Sequence, residues 1–398
     1  MFLIIPFLLV FLPRTTFQAP SPFALSVLPQ GGSLTTLISF GSMPFLLYTN
    51  IDLTLNFTWF SSSRTETSFS ENRLRSSAIT LFNADHLSSI YEDEMRITND
   101  LTNSKTALKS FRCNHLPQEI PRERHSIGLG RHFLQTQYSF THQLYERNYI
   151  DRLTFSFVLN EYNATQRDSS NWLFFGTPPL TFLNPKTTPS MKCYVKPHLS
   201  SWSCDLYRIE FDDKHVQPYT RDNQIGYFQT YKYRILAPKA FLTYLSENVF
   251  SGYFSNHSCY FEDDSECNRK LVCRKEYKEW FESMRFCFGE KDNKKCLRLP
   301  KDKMFVHYYK ELMVLVVEEN NVECGTENVW MFGKYFMPLF NSTFSYEDDS
   351  VTFYSEVNVV DSLYDVNVVP RRNMLHIVAT AMLLSTIWLC VIKRGKVI

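Results

Sequence analysis

The chain has 398 residues, 44% of them hydrophobic and 16% aromatic, which is long enough for two domains with full cores and too apolar for a disordered chain. Lysine and arginine number 42 against 41 aspartate and glutamate residues, a formal net charge of +1. Because the charges are so nearly balanced, no nucleic-acid partner is expected.

The N-terminus carries an apolar segment. Phe2–Leu12 contains no charged residue, has the length of a signal-peptide core, and is too short to span a bilayer. Ala19 is a candidate cleavage point because it is small. The sequence therefore predicts a signal peptide over residues 1–19 and export of the body of the chain.

A β-hairpin that ends in a carboxylate is predicted next. Thr36–Phe40 and Phe45–Tyr48 are rich in residues that favour strands, and Gly41–Pro44 between them has turn composition. Asp52 follows the second run, and Trp59 lies seven residues later (59 minus 52). Asp52 is the first candidate catalytic residue.

Further short strands and one helix are predicted along the chain. Phe140–Ile150 has the periodicity of an amphipathic helix. The segments that read as strands or strand ends are Ser126–Gly130, Leu153–Asn160, Asn171–Gly176, Ser201–Ile209, Val329–Phe336 and Phe344–Phe353. The fold class predicted is all-β, mainly strands with a few short helices.

These elements resemble the pepsin-like aspartic proteases in order and spacing. Asp52–Trp59 resembles the DTGSSNLW-type motif of the first catalytic Asp, with Leu53-Thr54 in place of Thr-Gly. Ser126–Gly130 resembles the family's GILGLG turn. The resemblance covers Ser33 to Phe353 and implies two β lobes, 25–186 carrying Asp52 and 187–368, each supplying one catalytic loop.

The second catalytic loop departs from the family pattern. Tyr227–Tyr244 resembles V-D-T-G-T-S-x-L-x-x-P followed by a helix, which places Gln229 at the Asp position, 177 residues after Asp52 (229 minus 52). The flap tyrosine position holds Asn99 by the same matching. The alternative is that the alignment slips and that Asp222 is the true second Asp.

Three functional interpretations follow. A pepsin-like site needs two carboxylates that share one proton, and an amide at Gln229 cannot ionise. The first interpretation is a catalytically impaired homologue, a monomer without cofactor or metal, that binds a peptide or protein between its lobes. The second is an active aspartic endopeptidase that uses Asp222, and the third, if the resemblance fails, is an adhesive surface β protein.

Cysteines and glycosylation motifs fit an exported chain. Disulfides are expected, with the pairing left open apart from the close pair of Cys193 and Cys204; a zinc site is the alternative, although no CxxC spacing occurs. A Cys-rich insert is predicted over 259–303. Six cysteines lie in or shortly after it: Cys259, Cys267, Cys273, Cys287, Cys296 and Cys324. The four glycosylation sequons begin at Asn56, Asn163, Asn256 and Asn341.

The C-terminus carries the second membrane signal. Met374–Ile392 contains no Asp, Glu, Lys or Arg, and Lys393 and Arg394 follow it. This pattern predicts one transmembrane helix over 374–392 and a cytosolic tail over 393–398. Together with the signal peptide, it predicts a single-pass type I protein of the secretory pathway or the cell surface, with its body lumenal or extracellular.

Overall fold

Strands make up most of the described structure, which confirms the all-β prediction. The computed structural model describes residues 23–30, 33–40, 47–55, 58–61, 75–76, 89–99, 104–116, 125–131, 139–159, 171–196, 199, 201–213, 215–263, 269–289, 295–320 and 328–364. No helix within these ranges is long and apolar enough to cross a bilayer. The predicted signal peptide and the predicted membrane helix at 374–392 lie outside them.

The strands of the N-terminal half are β1 (Phe23–Ser26), β2 (Leu28–Gln30), β3 (Ser33–Phe40), β4 (Leu47–Asp52), β5 (Trp59–Ser61), β6 (Arg75–Ser76), β7 (Ser89–Asn99), β8 (Ser104–Leu116), β9 (Ser126–Gly128), β10 (Thr154–Val158) and β11 (Trp172–Phe175). Helix α1 (Phe140–Glu146) precedes β10. The predicted hairpin and helix are therefore present, with the helix one turn shorter than expected.

The strands of the C-terminal half are β12 (Ser190–Tyr194), β13 (Ser203–Phe211), β14 (Ile225–Phe228), β15 (Ile235–Ala237), β16 (Cys259–Asp263), β17 (Arg269–Arg274), β18 (Met284–Phe288), β19 (Lys295–Leu299), β20 (Phe305–Tyr309), β21 (Leu312–Glu319), β22 (Val329–Phe332), β23 (Asn341–Ser345), β24 (Ser350–Tyr354) and β25 (Val359–Asp361). The helical segments are α2 (Lys239–Tyr244), α3 (Ser251–Ser255), a π-helical turn at Leu245–Val249, and 3₁₀ turns at Lys275–Trp280, Lys301–Lys303 and Met337–Leu339.

The two halves repeat one sheet topology. The eight-stranded sheet of the first half contains the order β3-β4-β9-β5-β8-β7, and the 11-stranded sheet of the second contains β13-β14-β22-β15-β21-β17. Each step has the same sense in both: antiparallel, parallel, antiparallel, parallel, antiparallel. The lobes are therefore structural repeats, each with two parallel pairs: β4–β9 and β5–β8 in the first, β14–β22 and β15–β21 in the second.

A third sheet joins the lobes. Its order, β1-β11-β10-β23-β24-β12, places three strands of each half side by side. Every residue of β10 is buried: Phe155 on one face packs against Trp202 and Phe344, and Val158 on the other packs with Ala24 and Phe174. The rings of Phe155 and Phe344 stack with centroids 4.9 Å apart across the β10–β23 junction. This shared sheet sets the position of one lobe against the other.

The Cys-rich segment 259–303 is integrated into the second lobe. It contributes β16 to β19 to the 11-stranded sheet, where β18 pairs with β13 and β19 pairs with β25. Disulfides join Cys259 to Cys273 across the β16–β17 hairpin and Cys287 to Cys296 across the β18–β19 hairpin. A third joins Cys193 to Cys204. The expectation of disulfides is confirmed for these six cysteines.

Candidate functional site

The two candidate residues occupy equivalent places in the repeat. Asp52 is the last residue of β4 and lies opposite Gly128 of the parallel strand β9. Gln229 directly follows β14, and its backbone N–H donates to the carbonyl of Phe332 at the end of the parallel strand β22 (3.1 Å). Asp52 and Gln229 therefore occupy equivalent positions, each at the C-terminal end of the corresponding strand of its lobe.

A hydrogen bond across the lobes brings these two points together. The hydroxyl of Thr230, a fully buried residue, donates to the backbone carbonyl of Ile51. Ile51 precedes Asp52 and Thr230 follows Gln229, so the two loops touch where the candidate residues sit. By the repeat, Leu53 is the counterpart of Thr230, and its buried apolar side chain has no group to make the reciprocal bond.

The site combines one carboxylate with one amide. Asp52 Oδ1 accepts hydrogen bonds from the backbone N–H of Thr54 (2.7 Å) and from its hydroxyl (2.6 Å). Gln229 is 2% exposed, and its Nε2 finds no acceptor among the residues that the structure describes. A buried amide N–H₂ without a partner costs free energy, so this donor favours a ligand or a water that accepts from it. The pair can accept and donate hydrogen bonds but has only one titrating group.

Close backbone contact survives the loss of the motif glycines. A Cβ on Gly130 would lie 2.7 Å from backbone atoms of Leu55 and Thr54, and one on Gly333 would meet the carbonyl oxygens of Lys232 and Arg234. These glycines therefore let each loop lie against the strand beside it. The substituted positions accommodate their side chains differently: Thr54 is exposed and Tyr231 is 48% exposed, so both turn outward.

Asp222, the alternative second acid, lies elsewhere. It is exposed in the turn between β13 and β14. Gln229 lies beyond the other end of β14, a strand of four residues that spans about 13 Å at roughly 3.3 Å per residue. The structure therefore brings Gln229, and not Asp222, to the loop that touches Ile51.

The remaining predicted site residues are scattered. Asn99 ends β7 and pairs with Ser104 at the start of β8, so the expected flap is a β-hairpin whose tip, 100–103, lies outside the described residues. Asn256 is exposed after α3, and Asn341 is partly buried in β23. The sequons at 56 and 163, and the cysteines at 267 and 324, also lie outside the described residues.

A group of metal-ligand residue types forms around a disulfide. Glu210 lies with Cys287 and Cys296, but the two cysteines are bonded to each other and offer no thiolate. The carboxylate of Glu210 instead forms an ion pair with Arg208 (Nε to Oε1, 2.8 Å) and accepts hydrogen bonds from the Ser362 hydroxyl (2.6 Å) and the backbone N–H of Leu363 (2.8 Å). The cluster fastens the end of the described chain to the second lobe.

Two features lie beside the site, and sequence reasoning missed the contacts that both of them make. Trp202 donates its Nε1–H to the carbonyl of Leu129 (2.7 Å), and Arg131 pairs with Asp349 (2.7 Å), so the first lobe's loop after β9 is anchored by the second half. Burial lowers the pKa of Lys334, whose ammonium lies over the ring of Tyr233. In the sequence, Val329–Phe336 (VWMFGKYF) resembles the W-I-L-G-D-x-F strand of the pepsin-like proteases, with Lys334 in place of the Asp.

Comparison with known proteins identifies the fold. No protein-family model matches the sequence, and no curated protein matches it significantly. Basic 7S globulin from soybean aligns with a TM-score of 0.65 at 13% identity, over 86% of this chain and 99% of that one. Conglutin gamma, a basic 7S globulin from lupine seeds, aligns with a TM-score of 0.66 at 13% identity, over 84% and 95%.

An aspartic proteinase from Irpex lacteus aligns with a TM-score of 0.62 at 11% identity, over 87% of this chain and 100% of that one. The matches span nearly the whole of each known structure, including both lobes. This confirms the resemblance read from the sequence at the level of the fold. The chain has the fold of the pepsin-like aspartic proteinases.

Proposed function

We propose that this chain is a membrane-anchored, pepsin-like homologue that binds an extended peptide or protein segment between its lobes without cutting it. The observation that carries the proposal is the amide of Gln229 at the place where the repeat calls for the second carboxylate. Its neighbour Thr230 donates to the carbonyl of Ile51, and this contact supports the assignment of Gln229 beside the motif matching.

The chemistry of the family explains why the substitution removes cutting. Two adjacent carboxylates share a proton, so one acts as a base on a bound water while the other, protonated, polarises the scissile carbonyl. Gln229 is neutral at every working pH. Acid and base partners act as one unit, so we expect a loss on the order of 10³–10⁴-fold or more.

Binding does not depend on the missing acid. An extended peptide is held by main-chain hydrogen bonds and by side-chain pockets, neither of which needs a dyad. Asp52 offers a carboxylate acceptor and Gln229 offers a buried, unpartnered donor, a combination that suits the N–H and C=O of a peptide group. Structures with this fold include an aspartic proteinase and two seed globulins, so the fold by itself does not require proteolysis.

The proposed location follows from the two ends of the chain. An N-terminal apolar run and the uncharged segment at 374–392 suit a type I membrane protein of the secretory pathway or the cell surface. Three disulfides within the described residues support an oxidising compartment. The body would then present its cleft to lumenal or extracellular peptides.

Digestion of an unfolded protein between pH 3 and 6 tests the proposal. The full chain and its Asp52→Ala variant are compared, because the variant removes the one carboxylate that the described residues place at the site, and reveals any contaminating protease. Equal, background cleavage by both is expected. Cleavage by the parent chain that Asp52→Ala abolishes would show that a second acid is in place and overturn the proposal.

A further inference from the structure

A group of aromatic and basic side chains lies directly beyond Gln229. Tyr231 and Tyr233 are 48% and 47% exposed, and the next segment of the second lobe runs beside them. The backbone N–H groups of Lys334 and Tyr335 donate to the carbonyls of residues 232 and 233 (2.8 and 2.9 Å). We name Tyr231, Tyr233, Lys334 and Tyr335 the tyrosine–lysine face. Because Tyr233 is only four residues from Gln229, the face lies within about 14 Å of the site along the chain.

The lysine of this face is held in place without an ionic partner. Its ammonium lies 5.3 Å from the centroid of the Tyr233 ring, and that ring meets the Tyr335 ring edge-on with centroids 5.6 Å apart. No carboxylate in the described ranges pairs with Lys334. The next cation along, Arg234, is paired with Glu318. Lys334 is thus a partly buried positive charge that is oriented but not neutralised.

The partial burial of Lys334 explains why binding an acidic ligand would stabilise its positive charge. Desolvation alone lowers the pKa of Lys334, since no carboxylate acts against it. A carboxylate that arrives with a bound peptide would recover part of the desolvation cost, at a point that is partly shielded from water. The exposed tyrosine rings beside it offer the flat, amphipathic contact area typical of peptide-binding anchors.

We propose that the tyrosine–lysine face selects peptides with an acidic side chain, whose carboxylate pairs with Lys334 over the ring of Tyr233. This inference rests on the proposed function, because it assigns the chemical class of peptide that the same cleft binds. It commits to an extended, acidic segment. The resemblance places an acid at the position of Lys334, so the local charge is opposite to that of the family pattern.

The test uses the full-length chain. A peptide that binds it is first selected from a random dodecapeptide library. Two labelled versions of that peptide are then compared, which differ only in having Glu or Gln at one position. Fluorescence anisotropy gives both affinities. A preference of about 5–10-fold for the Glu peptide is expected, between the values typical of exposed and buried ion pairs. Lys334→Met should abolish the preference, Lys334→Arg should retain most of it, and Lys334→Glu should reverse it in favour of a Lys peptide.

Two controls keep the outcomes distinct. Lys186→Met removes an exposed lysine of the loop between β11 and β12 and should leave the preference unchanged, while thermal unfolding of each variant verifies that it is folded. A benzophenone on the peptide should crosslink to residues 229–234. If peptides bind there but Glu and Gln bind equally, the acidic selection is wrong and the peptide-binding function stands. If no library peptide binds, the proposed function and this inference both fall.

Discussion

Placing a carboxylate at position 229 tests the geometry of the site directly. Gln229 is 2% exposed and neighbours the loop of Asp52 through the bond between Thr230 and Ile51. In a Gln229→Asp variant, two carboxylates would face each other in a poorly hydrated place. They cannot both ionise cheaply, so the new one should hold its proton to higher pH than a free aspartate does.

The magnitude follows from the size of such shifts. A like charge nearby and burial together raise a carboxyl pKa by about 1–3 units, and each unit is worth about 1.36 kcal/mol. The folded variant then binds more protons than the unfolded chain above pH ~4, so its stability falls as the pH rises. Relative to the parent chain, we expect a loss of about 1.4–4 kcal/mol between pH 4 and pH 7.

Urea unfolding of each variant across this pH range measures the effect. The matched control is the double variant Asp52→Asn with Gln229→Asp, which keeps the buried carboxyl but removes the opposing charge. The control should lose less stability between pH 4 and pH 7, and the difference between the variants isolates the interaction. Equal pH profiles would show that position 229 does not face Asp52, and the assignment of the site would be wrong. A rise in Asp52-dependent acid proteolysis of the single variant is expected as well.

Three further outcomes are expected from local contacts. Thr230→Val leaves the buried carbonyl of Ile51 without a donor and should cost about 1–3 kcal/mol in urea unfolding, whereas Thr230→Ser, which keeps the hydroxyl, should cost less. Burial lowers the pKa of His142 to about 4, below its ordinary value, so the folded state binds fewer protons than the unfolded state as the pH falls from 6.5 to 4. The free energy of unfolding should therefore drop by about 1 kcal/mol between pH 6.5 and pH 4, a value discounted for partial solvation of the ring. In urea unfolding, His142→Gln should flatten this pH dependence. A pH dependence equal to that of the parent chain would contradict the lowered pKa of His142. Replacing Cys287 and Cys296 by alanine, which opens a loop with a sequence separation of 9, should cost about 2–3 kcal/mol, and a variant as stable as the parent would contradict a structural role for this bond.

Much of the fold was predictable because the signals are local. The hairpin of β3 and β4 and the helix beginning at Phe140 depend on residues close in sequence. The ordered set of motifs then indicated two lobes, and structural alignment confirmed the fold they implied. Gln229 was found in the same way, from its spacing to Pro238.

Contacts between distant segments were not predictable. Arg131 meets Asp349 across 218 positions of sequence, and Trp202 meets the carbonyl of Leu129 across 73. No periodicity or turn signal relates residues so far apart, because their partners are chosen by how the sheets pack. Tyr231 stands where the family motif has glycine, and the sequence did not indicate where its side chain would point. The packing of the sheets decides that it points outward.

The sequence alone determined that the site lacks a second ionisable acid, because Gln229 stands at that position and an amide cannot ionise in any folded environment. Only the tertiary structure decided that this amide reaches the loop of Asp52, and that it arrives there buried with its N–H₂ unpartnered. The reason is physical: residue identity limits which protons a side chain can exchange, whereas proximity and desolvation exist only once two sheets from opposite halves of the chain have packed together.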